Sequence, residues 1–368
     1  MVLVFAGTRP EAIKLAPVLW ALQCRRDFRV TVVNSGQHAR AVRETFAEFG
    51  LRSDIELAPL PVLPNLAANF EHLRTELSAV VARVRPAIAV VQGDTLTAYA
   101  GAQASHDAGH DVAHIEAGLR TESVSDPFPE EWFRRRIARV ADVHFAPTHA
   151  AAAHLRAEGI AAGTIHRTGN TGIDSLKWML AELRRDTPLA PPARDRVLVT
   201  LHRRENHDRN ADTVCRALVR LCAARPDLRV TFPVHPNPRV SGPIRRRLEG
   251  HPAFDLVAPM AYRDFIRAAG NATLIISDSG GIQEEAPHLG TPLLVPRCNT
   301  ERPESIATGF VQLVAADETT IVASALAALG APRVRPLPFD DAAPFGDGDA
   351  APRIVTILEA TVAERACA

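Results

Sequence analysis

The chain predicts an α/β protein built as two doubly wound, Rossmann-like domains facing each other across a cleft. Three observations carry this. Short β-branched or apolar runs alternate with longer amphipathic or alanine-rich stretches, the pattern of parallel strands joined by helices. The strand-like runs are β-branched or apolar rather than strictly alternating, as buried strands of a parallel sheet with helices on both faces are. A proline-rich, charged stretch without periodicity, 184–196, interrupts the pattern, which then restarts. At 368 residues, two domains of ordinary size are expected.

In the first half, VLVFAG (2–7), VTVVNSG (30–36), AIAVVQGD (87–94), VAHIEAG (112–118) and VHFAP (143–147) read as buried strands. Helix-like stretches lie at 10–26, 38–49, 66–84 and 97–109. In the second half the strands are VLVTLH (197–202), VTFPVHP (230–236), FDLVAP (254–259), TLIISD (273–278), PLLVP (292–296) and VQLV (311–314). The Pro-, Asp- and Gly-rich region 331–352 reads as loop, and 353–366 as a last helix. The expected division is therefore 1–183, a linker at 184–196, and 197–352.

Composition excludes several classes. Lys plus Arg equals Asp plus Glu at 42 each, so no global field attracts nucleic acid or an anionic membrane. Two tyrosines and three tryptophans offer few stacking platforms for bases. No apolar run approaches the roughly 18 residues of a membrane span. MVLVFAGTRPE enters a strand without a basic leader, so a cytoplasmic location is expected. The five cysteines (24, 215, 222, 298, 367) include no CxxC pair and read as reduced thiols, Cys215 and Cys222 as core. His106, His110 and His114 are evenly spaced, and His144, His149 and His154 nearly so. Gly109 and the strand from 112 break the register of the first set, and no metal site is predicted.

Ligands in open parallel sheets sit beyond the carboxyl ends of the strands, and here the polar clusters follow strands directly. In GTRPEAIK (7–14), Thr8 is a plausible N-cap, Glu11 completes a capping box and Pro10 suits the first turn. Arg9 and Lys14 beside the helix N-terminus make an anion site, most simply for phosphate; an ordinary capped helix is the competing reading. The motif is neither GxGxxG nor a P-loop, so NAD and ATP gain no support, and no cofactor is expected. In SDSGGIQEE (277–285), Ser279, Gly280 and Gly281 open a helix where a diphosphate could approach, and Glu284 or Glu285 could accept from ribose hydroxyls. Asp94 and Glu116 end neighbouring strands, and with the Glu130–Glu131 pair they are candidate acid/base carboxyls. His202 follows a strand and can bind phosphate or shuttle a proton; His235 also ends a strand. Arg134 lies just after the PEE turn, whereas the rest of RRR (134–136) suits a solvated helix face.

GTRPEAIK, QGDT, EAGLRT, PEE, HRREN, PVHPN, DSGGIQEEAPHLG and ERPE occur in this order along nearly the whole chain. Together they resemble the non-hydrolysing UDP-N-acetylglucosamine 2-epimerase family. The resemblance implies a GT-B-type fold with the C-terminal helix 353–368 returning to the first domain, a UDP-sugar substrate, and a homodimer. It implies C2 epimerisation of UDP-GlcNAc to UDP-ManNAc through loss of UDP and a bound 2-acetamidoglucal. Asp94, Glu116 and Glu130 would form the acid/base set, with His202 stabilising the departing diphosphate. Arg9, Lys14, Ser279, Gly280, Gly281 and Arg302 would hold phosphates or sugar, Glu285 the ribose and Phe265 the uracil; Arg134 and His235 complete the set. Gln37, His38 and Arg204 are compatible with a second, regulatory substrate site. The chain departs from the family at Trp132–Phe133, where Asn is common at the second position, at Met260, and at 59–66. Epimerisation of a modified UDP-diacetamido sugar, hydrolytic release of ManNAc and UDP, and glycosyl transfer on the same fold are the alternatives.

Overall fold

A computed structural model describes residues 1–124, 127–186, 195–201, 209–234 and 238–366. The chain forms two compact units, Met1–Lys177 together with Asp340–Ala368, and Trp178–Phe339. The division falls inside a helix rather than after residue 183, and the chain returns to the first unit at Asp340 rather than at 353. Among the described residues, no helix is long and apolar enough to cross a membrane.

The first unit alternates β1 (Val2–Ala6), α1 (Arg9–Gln23), β2 (Val30–Asn34), α2 (Ala39–Glu48), β3 (Ile55–Glu56), α3 (Leu66–Val84), β4 (Ile88–Gln92) and α4 (Leu96–Asp107). It continues through β5 (Asp111–Ile115), α5 (Glu130–Val140), β6 (Val143–Ala146), α6 (His149–Ala157), β7 (Ile165–Arg167) and α7 (Thr171–Asp186), which crosses into the second unit. Its seven strands are all parallel, in the order β3-β2-β1-β4-β5-β6-β7. The period of two along β1 builds both cores. Val2, Val4 and Ala6 face Leu15, Val18 and Leu19 of α1, whereas Leu3 and Phe5 face Leu73 and Leu77 of α3 and Tyr99 of α4.

The second unit runs β8 (Arg196–Thr200), α8 (Arg209–Ala224), β9 (Arg229–Pro233), α9 (Pro238–Leu248), β10 (Phe254–Val257) and α10 (Tyr262–Gly270). There follow β11 (Leu274–Ser277), α11 (Gly280–Leu289), β12 (Leu293–Val295), α12 (Pro303–Ile306), β13 (Val311–Leu313) and α13 (Glu318–Gly330). Its six parallel strands are ordered β10-β9-β8-β11-β12-β13. Cys215 and Cys222 lie in its core, where burial pushes their thiols up to about 12 and about 11. The strand order reverses between β1 and β4 in one sheet and between β8 and β11 in the other, the places where such folds open a crevice for ligand.

The last helix, α14 (Ala350–Ala366), belongs to the first unit because Ile354, Val355 and Leu358 are buried in the core that holds Leu15 and Leu19. Each such side chain contributes roughly 1.5–3 kcal/mol on burial. The helix starts three residues earlier than its sequence pattern indicates, at Ala350. Asp174 of α7 supplies its cap, accepting from the Ala350 N–H at 3.2 Å and the Ala351 N–H at 2.8 Å.

Candidate active site

Glu116 follows β5 immediately and takes a left-handed backbone, φ 66°. For a residue with a side chain this costs on the order of 1–3 kcal/mol and persists only where the surroundings enforce it. They do. The Lys14 ammonium donates to both carboxylate oxygens at 2.6 Å, the Gln92 amide donates to Oε2, and the Asn170 amide donates to Oε1 at 3.3 Å. Among its partners, donors from α1, β4 and the loop before α7 thus hold one buried, acceptor-only carboxylate. Lys14, expected to hold phosphate or sugar, spends its charge on this pair.

Asp94 lies two residues beyond β4, whose Gln92 pairs with Ile115 of β5. Its side chain is 32% exposed and accepts an ion pair at 3.0 Å from Arg134, itself 2% exposed. Arg134 Nε also lies 3.1 Å from Glu131, and its Nη2 is buried without a hydrogen-bond partner among the described residues. Glu131 is fully buried, accepting from Arg135 at 2.8 Å and from the Thr121 N–H at 3.1 Å. Of the adjacent pair, then, Glu131 is the counter-ion of the arginines. Half-buried Glu130 opens α5, where its charge suits the helix dipole.

The departure at Trp132–Phe133 concerns packing. Phe133 is buried and stacks on Tyr99, with ring centroids 5.4 Å apart, while Trp132 meets Tyr99 edge-on at 5.2 Å. Both rings join the α3–α4–α5 core and leave Asp94 and Glu116 to the other residues.

In the GTRPE turn, Thr8 caps α1 by accepting from the Glu11 N–H at 3.5 Å, and the Glu11 carboxyl accepts from the Gly7 N–H at 3.1 Å and from Thr95 at 2.8 Å. Burial pushes the Glu11 carboxyl up to about 7. Arg9, half-buried, is the first residue of α1. Gln37 is tied to α4, accepting from the Thr97 N–H at 3.0 Å and its hydroxyl at 2.7 Å. His38 is exposed, its backbone N–H donating to Gly7 at 2.8 Å.

In the second unit, Ser279 stands at the N-cap of α11 without capping its own helix through its side chain. A Cβ on Gly280 would collide with the Arg302 guanidinium, whereas one on Gly281 would meet nothing within 4 Å. Arg302, buried, donates to Glu284 and to Glu301 at 2.7 Å. Glu285 accepts from the Tyr262 hydroxyl at 2.8 Å. Phe265 on α10 packs half-buried against the β11–β12 core, and Met260 lies two residues ahead of that helix. His202, Arg204 and His235 lie outside the described residues.

Two buried histidines stand side by side on β5 and β6, and burial lowers His114 to about 3 and His144 to about 4. His114 Nε2 lies 2.7 Å from the Gly93 carbonyl, beneath the turn that carries Asp94. Among the described residues, no three His, Cys, Asp or Glu side chains are gathered so as to hold a metal ion. Gln92 and Asn170 are the site residues missed in the sequence. Gln92 sits in the QGD motif two positions before the acid that drew notice, and Asn170 carries no charge.

Two parallel α/β domains, each with a polar cluster at the reversal of its strand order, are the architecture of GT-B-like nucleotide-sugar enzymes. The solved UDP-GlcNAc 2-epimerase of Neisseria meningitidis bound to UDP-GlcNAc is similar at a TM-score of 0.91 and 33% identity, covering 97% of this chain and 99% of that one. The Methanocaldococcus jannaschii UDP-GlcNAc 2-epimerase in complex with UDP-GlcNAc and UDP gives 0.87 and 30%, covering 97% and 99%. The UDP-N-acetylglucosamine 2-epimerase of Escherichia coli K12 is 36% identical over 97% of this chain and 98% of its own. The family model for UDP-N-acetylglucosamine 2-epimerase matches residues 21–359. The chain is an enzyme of the UDP-N-acetylglucosamine 2-epimerase family.

Proposed function

We propose that the enzyme interconverts UDP-GlcNAc and UDP-ManNAc by eliminating and re-adding UDP. C2 of the sugar bears an acetamido group and adjoins no carbonyl, so its proton is not acidic and simple deprotonation is not available. In the proposed route a carboxylate removes the C2 proton as the C1–O bond breaks. UDP leaves with the bonding electrons, and a 2-acetamidoglucal with a C1=C2 double bond remains. UDP then adds back at C1 while C2 receives a proton on its opposite face, so atoms and charge balance without a redox cofactor.

Asp94, Glu116 and Glu130 share these proton transfers. The observation that carries the reading is Glu116, a carboxylate held at a strand end by Lys14, Gln92 and Asn170 in a strained backbone conformation. Arg134, paired with Asp94, steadies that second carboxylate. The Gly280 and Gly281 amides at the start of α11, with the Ser279 hydroxyl, receive the diphosphate, and Arg302 stands behind Gly280; the Ser279 N–H itself donates to Ser277 Oγ at 3.1 Å. Arg9, Phe265, Glu285, His202 and His235 complete the sugar and nucleotide contacts, and Gln37, His38 and Arg204 a regulatory site. The reading includes a cytoplasmic location and a homodimer, and sedimentation of the purified chain tests the dimer.

Incubation with UDP-GlcNAc without added metal or NAD, followed by anion-exchange chromatography, tests the activity. A new UDP-ManNAc peak is expected. Free UDP with ManNAc identifies a hydrolysing enzyme, and unchanged substrate from a protein that binds UDP moves the assignment to a modified UDP-sugar.

A further inference from the structure

Glu116 keeps its place through contacts that lead away from the reacting carboxyls. Asn170 is 1% exposed and uses every polar group it has. Its amide donates to Glu116 Oε1 at 3.3 Å, its Oδ1 accepts from the Gly172 N–H at 3.3 Å, and its backbone N–H donates to the Phe345 carbonyl at 2.7 Å. The last bond joins the loop before α7 to the returning segment of the chain, some 175 residues downstream.

That junction is close. Gly169 (φ 89°) and Gly346 (φ 106°) lie back to back, and a Cβ on Gly346 would stand 3.0 Å from the Gly169 Cα. Asp174, four residues after Asn170, caps α14 within the same returning segment. The loop therefore has its backbone fixed from one side while its amide side chain reaches Glu116 on the other.

We propose that Asn170 is a positioning residue for Glu116, holding the carboxylate at the end of β5 in the orientation that proton transfer at C2 requires and tying that orientation to the returning segment at Phe345 and Gly346. The proposal rests on the epimerase reading for its consequence in turnover. It does not assign Asn170 any contact with substrate. Neutral, buried and 54 residues from Glu116 in sequence, Asn170 acts on the reaction through Glu116 alone.

Two substitutions separate the side chain's tasks. Asn170→Ala removes the donor to Glu116 but keeps the backbone bond to Phe345. Asn170→Asp keeps the size and the acceptor for Gly172 and replaces only the donor, with a carboxylate that repels Glu116. Lys14 from α1 is paired with Glu116 and His114 lies within its electrostatic reach, and neither is altered. With folding checked by circular dichroism, Asn170→Ala should lower kcat by about tenfold with KM little changed, as loss of one hydrogen bond to a charged group implies. The acid limb of its pH–rate profile should move upward. Asn170→Asp should lower kcat further and move the limb by about one pH unit or more.

Infrared titration of the carboxylate band, with Glu116→Gln as the reference that identifies the Glu116 signal, reads the same shift without turnover. Wild-type protein that fails to epimerise would break the functional reading, while the infrared shift would still decide the role of Asn170. Variants that fold, turn over within twofold of wild type and leave the Glu116 titration in place would overturn the proposal. So would a loss confined to KM. If the Asp variant does not fold, the Ala variant decides alone.

Discussion

The two sheets end in polar clusters made of similar residues used in opposite ways. At the end of β5, a carboxylate is the prize and the cation serves it: Lys14, Gln92 and Asn170 all point their donors at Glu116. At the start of α11 the arginine is the held group, with Arg302 enclosed by Glu284 and Glu301 and its flat face set behind Gly280. There the space beside the backbone stays open at Gly281. A fixed carboxylate is suited to moving a proton, and a bare helix N-terminus to receiving phosphate. On the proposed function, the contrast divides the labour between a reacting end and a binding end.

The largest expected effect comes from breaking the reacting end. Glu116→Gln preserves shape and should reduce turnover by about 10²–10⁴-fold, the usual worth of a general acid or base. UDP affinity, measured by calorimetry, should hold. A parallel fall in UDP affinity would mean the two ends are not separable in this way. Next in size is Lys14→Met, which leaves a buried carboxylate without its counter-ion. Removing one partner of such a pair costs about 3–5 kcal/mol, and urea denaturation of the variant should show a loss of that order.

The binding end is sharpened by its two glycines. Gly280→Ala must displace the buried Arg302 guanidinium and should lower stability by about 1–3 kcal/mol, with UDP affinity falling as well. Gly281→Ala has free space and should leave the melting temperature alone, so a loss of UDP affinity there reports close approach of the ligand itself. Unchanged affinity in both would remove the start of α11 from the diphosphate site.

The effect confined to a pH window concerns Glu11 in the GTRPE turn. Its carboxyl is raised from 4.5 to about 7 by burial. Between those values the folded chain keeps a proton that the unfolded chain has released, so this group's contribution to stability falls as pH rises through the window. The slope is at most about 1.4 kcal/mol per pH unit. Glu11→Gln should flatten the stability profile between those pH values, and an unchanged profile would show that Glu11 is ionised in the fold.

Much of this architecture was legible in the chain, and the exceptions have physical reasons. Apolar runs such as VLVFA and LIIS can hardly be anything but buried strands, so the central strands and their trailing motifs read directly. β3 and β7 were missed because IE and IHR are too short and polar to form such a run. Glu116 and Asp94 stood out as acids with no packing use. What one dimension could not show was partnership. Lys14 and Glu116 are 102 residues apart, Asn170 and Glu116 54, and no local pattern announces that they meet. Glu130 and Glu131 look alike in sequence, yet one turn of α5 buries Glu131 among arginines and leaves Glu130 half-exposed.

In the proposed route the C2 proton leaves and returns while UDP is detached. Proton NMR of UDP-GlcNAc incubated with the enzyme in D2O tests it most directly. Deuterium at C2 in both sugars is expected as the UDP-ManNAc anomeric signal grows. Formation of UDP-ManNAc with its C2 proton fully retained would contradict it.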